Sequence, residues 1–436
     1  MKTCRLIAVF LSILMLVSVV AACGESDDGQ VTITFMGWGS PQEVSVFEAM
    51  IAQFEDKYPD VKVEYLNVPH GDFQTKLQAM IAADQTPDVF YLTPENVMPW
   101  ADSGIVYDIT SYVANNEIFE EGNVWKKAID MYRYDGRMPG VGNIYGLPKD
   151  IGPFAMAYNV DLFKAAGITA PDPNNPWTWD EFIENAKKLT SGEGTSKVYG
   201  SAPYSVEAAV WSNGADWLNA DKTKITVTDP AFAEAVQWIA DLILVHGVVP
   251  SNEEEGSLGS FQRWMEGRIG MMGIGPWSQG QFWEECTFEW DLMTWPVSPR
   301  TGQPAIWYGG IGFAVANDSK HKEAACNLAA FLAFNEDAQR TNYQMGQAIP
   351  NLIDMTYNEY LPMSKPPANK MEFIRIVENY GRRATQTFTY NSEWFGEFWS
   401  NIDAVWLGEM TAMEYFNSIT GDMQALLDKG IAEQNR

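Results

Sequence analysis

Three extended runs in this chain end in residues with chemistry to offer. "TITFMGW" delivers Trp38, with Ser40 two residues on. "DVFYL" runs into Thr93-Pro94-Glu95-Asn96, and "GRIGMMGIGP" (267–276) runs into Trp277. An indole presents a broad, flat apolar face, while carboxylate, amide and hydroxyl groups supply hydrogen-bond acceptors and donors. Together they suit a polyhydroxylated ring, whose C–H face packs on the indole while its hydroxyls both donate and accept. Each tryptophan taken singly has a second reading, as a cap that closes a strand end against solvent.

Residues of this kind converge only if their strands finish on the same side of a sheet. Stretches 31–38, 61–68 and 87–92 read as strands, and 41–59 and 72–84 as amphipathic helices between them. The order β-α-β-α-β predicts a parallel, doubly wound α/β sheet, and ligands of such sheets bind in the crevice outside the carboxyl ends of the strands. That rule selects the three strand-end groups above. Apolar spacing near 3.6 predicts further helices over 177–190, 229–247 and 322–339. There is no internal repeat.

The front of the chain has a different character. Lys2 and Arg5 precede an apolar stretch from Leu6 to Ala22 that ends at Cys23, the layout of a secretory signal rather than a spanning helix. "VAAC" (20–23) resembles the bacterial lipobox. That resemblance makes 1–22 a lipoprotein signal, Cys23 the lipidated residue and 23–30 an acidic tether; the other reading is an ordinary cleaved signal with an incidental cysteine. Losing Lys2 and Arg5 takes the formal charge from −28 to −30, a surface that repels nucleic acid. At 436 residues, two domains are expected. Cys4 leaves with the signal, and the sequence leaves open whether Cys286 and Cys326 pair. His70, His246 and His321 are isolated, no Cys/His spacing suits zinc and no P-loop occurs, so neither metal nor cofactor is expected.

Seven stretches, in order, resemble the extracellular solute-binding proteins of ABC importers, the large family that includes maltose-binding protein. They are "FEDKYPDVKVEY", "QTKLQAMIAADQTPDVFYL", "YGLPKDIGPFAMAYNVDLFKAAGI" (145–168), "PWTWDEFIENAKKLT", "GRIGMMGIGPW", "YGGIGFAVANDSKHKEAACNLAAFLAF" (308–334) and "GQAIPN" (346–351). The resemblance implies a two-lobed α/β fold of the periplasmic-binding-protein type II class, each lobe a doubly wound sheet, with a ligand cleft between the lobes. Three hinge crossings are expected, near 146–148, 295–299 and 347–351. Lobe one would then hold 31–147 and 300–347, and lobe two 148–299 and 348–436. The implied protein is a monomer, held to the membrane by its N-terminal lipid, that captures a sugar without altering it. It would deliver that sugar, an oligosaccharide by preference, to the importer's permease.

The same resemblance implies a set of ligand-binding residues. Trp277 would stack on the sugar, and Glu95 and Asn96 would meet its hydroxyls. Trp38 and Ser40 would add the first-strand loop, and Lys149 and Asp150 the first crossing. Trp307, Tyr308, Gly309 and Gly310 would follow the second crossing, Asn213 would come from the second-lobe wall, and Trp394 would be a further stacking ring. Trp394, Phe398 and Ile402 recur every four residues, which reads equally well as a core stripe. "EEE" (253–255) reads as a solvated loop. Arg382 and Arg383 read as a clamp for a charged sugar such as a uronate or as surface charges balancing an acidic chain. Two alternatives stand beside the receptor: a secreted glycoside hydrolase pairing Glu95 with Asp150, and a binding protein for a polyol or glycerol-phosphate-type solute.

Overall fold

A computed structural model describes residues 30–436. The signal segment, Cys23 and the tether up to residue 29 lie outside the described residues. Strand β1 (Val31–Gly37) leads to helix α1 (Pro41–Lys57), which begins where it does because Ser40 Oγ accepts from the Glu43 N–H at 3.2 Å and Pro41 occupies the first helical position. Strand β2 (Val61–Asn67), helix α2 (His70–Ala82) and strand β3 (Val89–Leu92) follow. All four residues of β3 are buried, as in a strand covered on both faces. β1 pairs in parallel with both β2 and β3. The alternation read from the sequence is the one observed, with element ends moved by a residue or two.

The sheet is completed from farther along the chain. β4 (Leu147–Pro148) is one edge; next come β5 (Gly152–Pro153), β6 (Ala155–Asn159), β7 (Met271–Ile274), β8 (Trp290–Met293), β9 (Ile306–Gly309), β10 (Gly312–Val315) and β11 (Gly381–Arg383). The first sheet has the order β2-β1-β3-β10-β4, with β10 antiparallel to both of its neighbours. The second half of the molecule carries β8-β6-β7, all antiparallel, and a small sheet β11-β9-β5. Helices α3 (Trp179–Leu189), α4 (Val206–Ser212) and α5 (Pro230–Leu244) pack there, α3 opened by a reciprocal Thr178–Glu181 capping box. Continuous helix over 322–339 is not observed. The segment breaks after α6 (Lys322–Phe334), where Asn335 Oδ1 accepts from the Asp337 and Ala338 N–H groups and starts a new helix, Glu336–Gln344. Among the described residues no helix is long and apolar enough to cross a membrane, and Cys286 and Cys326 are free thiols.

Three segments carry the chain between the halves, and they are tied together. Residues 149–151 pass from β4 to β5, and 310–311 from β9 to β10. The Lys149 N–H donates to Ile311 O at 2.7 Å, and the Ile311 N–H to Asp150 Oδ1 at 3.1 Å. In the third segment Asn351 Nδ2 reaches Pro148 O at 2.7 Å and Ala333 O at 3.0 Å. The second passage thus lies later than the expected 295–299. Those residues are fixed inside the second half: Trp295 Nε1 donates to Phe154 O at 2.8 Å, the Val297 N–H to Trp177 O at 2.8 Å and the Ser298 N–H to Ser212 Oγ at 2.8 Å. Residues 306–309, expected in lobe one, pair instead with β5 and β11. The passage itself requires glycine, since a Cβ on Gly310 would lie 2.6 Å from Asp150 O.

Candidate functional site

A cavity of about 330 Å³ opens between the carboxyl ends of the first sheet and the β9–β11 edge of the second half. That size lies within the roughly 300–1,000 Å³ of small-ligand sites. Its first bank is Trp38, which follows β1, His70 at the start of α2, and Thr93, Pro94 and Glu95, which follow β3. Trp38 is held by edge-to-face contacts with Phe73 (4.6 Å between centroids), Tyr91 (4.9 Å) and His70 (5.0 Å). Pro94 turns the chain into a single 3₁₀ turn, Pro94–Asn96, that brings Glu95 to the cavity wall. Asn96 stands behind it, donating through Nδ2 to Thr93 Oγ1 at 3.0 Å. Burial pushes the Glu95 carboxyl above the ordinary carboxylate range, with hydrogen bonds from its own backbone and Thr93 opposing the shift only in part.

The opposite bank is built from Glu207 of α4, Trp307, Tyr308 and Gly309 of β9, and the segment from Arg383 to Thr387. Here the rings are nearly parallel. Phe154 stacks on Trp307 with centroids 4.7 Å apart and planes 15° from parallel, and Trp277 lies 6.2 Å from Trp307 at 21°. Trp277 is therefore one ring removed from the cavity lining, and it is 41% exposed. Its place explains the Gly-Pro-Trp turn. A Cβ on Gly275 would sit 2.1 Å from the indole, and one on Gly152 2.9 Å from it, so the ring lies flat across two glycine backbones. Glu207 accepts from Ser205 Oγ at 2.8 Å, and burial raises its pKa as well.

Behind the cavity, Lys149 bridges Asp150 (2.7 Å) and Glu43 (2.9 Å) within the bundle of passages. Burial works against the Lys149 charge, but the two carboxylates prevail and hold its pKa above the usual lysine value. Asp150 takes this ammonium on one oxygen and the Ile311 N–H on the other. Each carboxylate oxygen of Asp150 thus has one partner within the bundle of passages.

Of the expected site residues, Trp38, Glu95, Trp307, Tyr308, Gly309 and Gly310 line one cavity; Asn96, Trp277, Lys149 and Asp150 adjoin it. Three are elsewhere. Ser40 is the α1 cap on the surface. Asn213 is buried, donating to Ala231 O at 2.7 Å and accepting from Ser298 Oγ. Trp394 is fully buried in helix α7 (Glu393–Trp399) beside α8 (Ala412–Gln434), its Nε1 donating to Thr389 Oγ1 at 3.0 Å. Phe398 and Ile402 are buried with it, so the four-residue recurrence is the core stripe. Glu207, Phe154, Gln386 and Thr387 were not selected by sequence. Glu207 carries a usable signal: an acidic residue in the first turn of a helix capped by Ser205. The arginine pair divides: Arg382 is exposed and bound to Asp216, with its guanidinium 4.5 Å from the Trp211 ring centroid, while Arg383 is among the residues lining the cavity, with its guanidinium over the Phe388 ring.

The chain belongs to the bacterial extracellular solute-binding protein family, whose pattern matches residues 38–339. Its fold is that of the type II binding proteins, of the maltose-binding-protein kind. An ABC substrate-binding protein of Listeria monocytogenes, solved in complex with cycloalternan, superimposes with a TM-score of 0.80 at 25% identity, covering 92% of this chain and 99% of that one. A binding protein of Brucella abortus is 27% identical over 367 residues, 82% of this chain and 81% of its own length. The arabinooligosaccharide-binding protein of Halalkalibacterium halodurans is 23% identical over 336 residues, 72% of this chain and 70% of its own.

Proposed function

We propose that this protein captures a sugar, an oligosaccharide by preference, in the cavity between its halves and hands it unaltered to the permease of an ABC importer. The observation that carries the reading is the pairing of Trp38 and Trp307 on opposite banks of one cavity, with Glu95, Glu207, Tyr308 and Thr387 beside them. Indole faces take the ring and the polar groups take its hydroxyls. The saccharide ligands named for the Listeria and Halalkalibacterium relatives support the same chemistry. Under this reading lobe one comprises 31–148 and 312–346, lobe two 152–309 and 352–436, and the lobes close about the three passages. Closure requires the ligand to bind the closed form more tightly. The anchor is lipid on Cys23, and the working form is a monomer.

Titrating the purified protein with neutral oligosaccharides while following tryptophan fluorescence and melting temperature tests this reading. Saturable, stoichiometric binding with a raised melting point is expected. The same mixtures, analysed for shorter sugars over time, should contain the input sugar alone. Progressive release of product would replace capture with hydrolysis, and silence across the whole panel would remove the sugar.

A further inference from the structure

A second cavity, of about 380 Å³, lies behind Trp307 in the second half of the molecule. Trp307 and Glu207 line both cavities, so the two meet at that indole and that carboxylate. Phe154, stacked on Trp307, lines only the second one. Its remaining walls are mostly apolar: Tyr204 and Val206 around the start of α4, Ile239 and Leu242 of α5, Val249 and Trp406. Trp399, which ends α7 and is 40% exposed, marks the side open to solvent. The few polar groups of the lining are already engaged within the protein. Ser205 Oγ donates to Glu207 at 2.8 Å, and the Tyr204 hydroxyl to Pro296 O at 3.3 Å. Asn252 Nδ2 donates to Asp403 Oδ1 at 3.0 Å, and the two oxygens of Glu255 accept from the N–H and Oγ of Ser260 at 2.6 and 2.7 Å.

A sugar unit placed in the second cavity would give up the hydration of its hydroxyls for walls that offer few free donors or acceptors. An aryl or alkyl group has no such loss and gains from leaving water. A concave, mainly apolar cavity of this size is the form that small-ligand sites take, and its inner end is the indole on which the sugar would lie. We infer that the preferred ligand is a glycoside with an apolar aglycone: the sugar rests against Trp307 in the first cavity, and an aryl or short alkyl group passes Glu207 into the second. This inference rests on the sugar-capture reading and names the part of the ligand that the sugar cavity does not hold.

Calorimetric titration of the purified protein with matched methyl and phenyl glycosides of glucose, maltose, cellobiose, lactose and arabinobiose, beside the free sugars, tests it. For a sugar that binds, the phenyl glycoside should bind at least tenfold more tightly than the methyl glycoside and with a more negative heat-capacity change, the mark of apolar burial. Ile243→Asp, which sets a charge in the second cavity, should remove that advantage and leave the affinity of the methyl glycoside unchanged. Trp399→Ala, at an exposed position outside the sugar cavity, should remove part of it; should Ile243→Asp misfold, this variant decides. Methyl and phenyl glycosides of equal affinity, a phenyl advantage that survives both variants, or a free sugar that binds while both of its glycosides fail would overturn the aglycone assignment and leave sugar capture standing. A parent protein that sediments as a dimer, dissociated by Ile243→Asp, would assign the second cavity to another copy of the chain and overturn it as well. Binding by none of these compounds would remove both readings.

Discussion

The two banks of the cavity hold their tryptophans in different ways. Trp38 is gripped on its edges and faces by Phe73, Tyr91 and His70, all at steep angles, and Tyr91 in turn belongs to the buried aromatic group of Phe35, Phe47 and Phe313. Trp307 is held mainly by one parallel neighbour, Phe154, with Trp277 alongside. The first arrangement ties a cavity ring into the core of its lobe. The second stacks near-parallel rings on one another, with fewer ring contacts around its cavity tryptophan. Losing a ring from the first bank should therefore disturb fold and binding together, whereas losing one from the second should act mainly on binding.

Variants at four tryptophans test that contrast. The largest effect is expected at a ring outside both banks: Trp394→Ala should cost about 3–5 kcal/mol of stability in denaturant unfolding, as large-to-small core changes do, with sugar affinity intact. A clear loss of affinity together with only a small loss of stability would return Trp394 to the site. Next, Trp307→Ala should weaken sugar binding by about 3 kcal/mol, on the scale of a buried aromatic anchor. Trp38→Ala should weaken binding by a similar amount and also lower the melting temperature; equal melting temperatures for the two variants would erase the distinction between the banks. Trp277→Ala, one ring farther out, should cost about 1 kcal/mol, and more for a longer oligosaccharide than for a disaccharide.

The smallest effect sharpens the electrostatic side. Glu95 has its pKa raised by burial. A carboxyl raised in this way contributes stability below its unfolded pKa and loses it as pH climbs through the folded value. Glu95→Gln should consequently melt higher than the parent at neutral pH, with the gap closing as pH falls below the ordinary carboxylate value of 4.5. The variant should also bind sugar less well. A parent that melts higher than the variant at neutral pH would mean that Glu95 is stabilised as an anion by a partner.

This contrast also accounts for what could be read without coordinates. The first bank follows from alternation: buried β3, flanked by strands and helices of regular period, forces Trp38 and Glu95 to the same sheet edge. The second bank brings together 152–154, 207, 277, 307 and 383, which share no local period and meet only through the pairing of β9 with β5 and β11. Trp277 was legible by its Gly-Pro turn, but its neighbour Trp307 occupies the lining. Trp394 and Asn213 had the right residue types; what removed them was burial by α8 and by Ser298, contacts separated by tens of residues. The same holds for 295–299, whose proline-rich look suggested a passage while three long-range hydrogen bonds fix it in place.

Gly310 and Ile311 form both a passage between the halves and part of the cavity lining. Under the capture reading proposed above, they would lie near the axis of closure, where rotation displaces atoms least. A ligand group resting against them meets the same surroundings in either posture of the lobes, so it adds to affinity without favouring the shut state. Groups toward the rim, over Trp277 and beyond, travel farthest and alone can pull the lobes together. Under that reading, the depth to which a sugar reaches would set its tightness, and its outward length how far it favours the shut form.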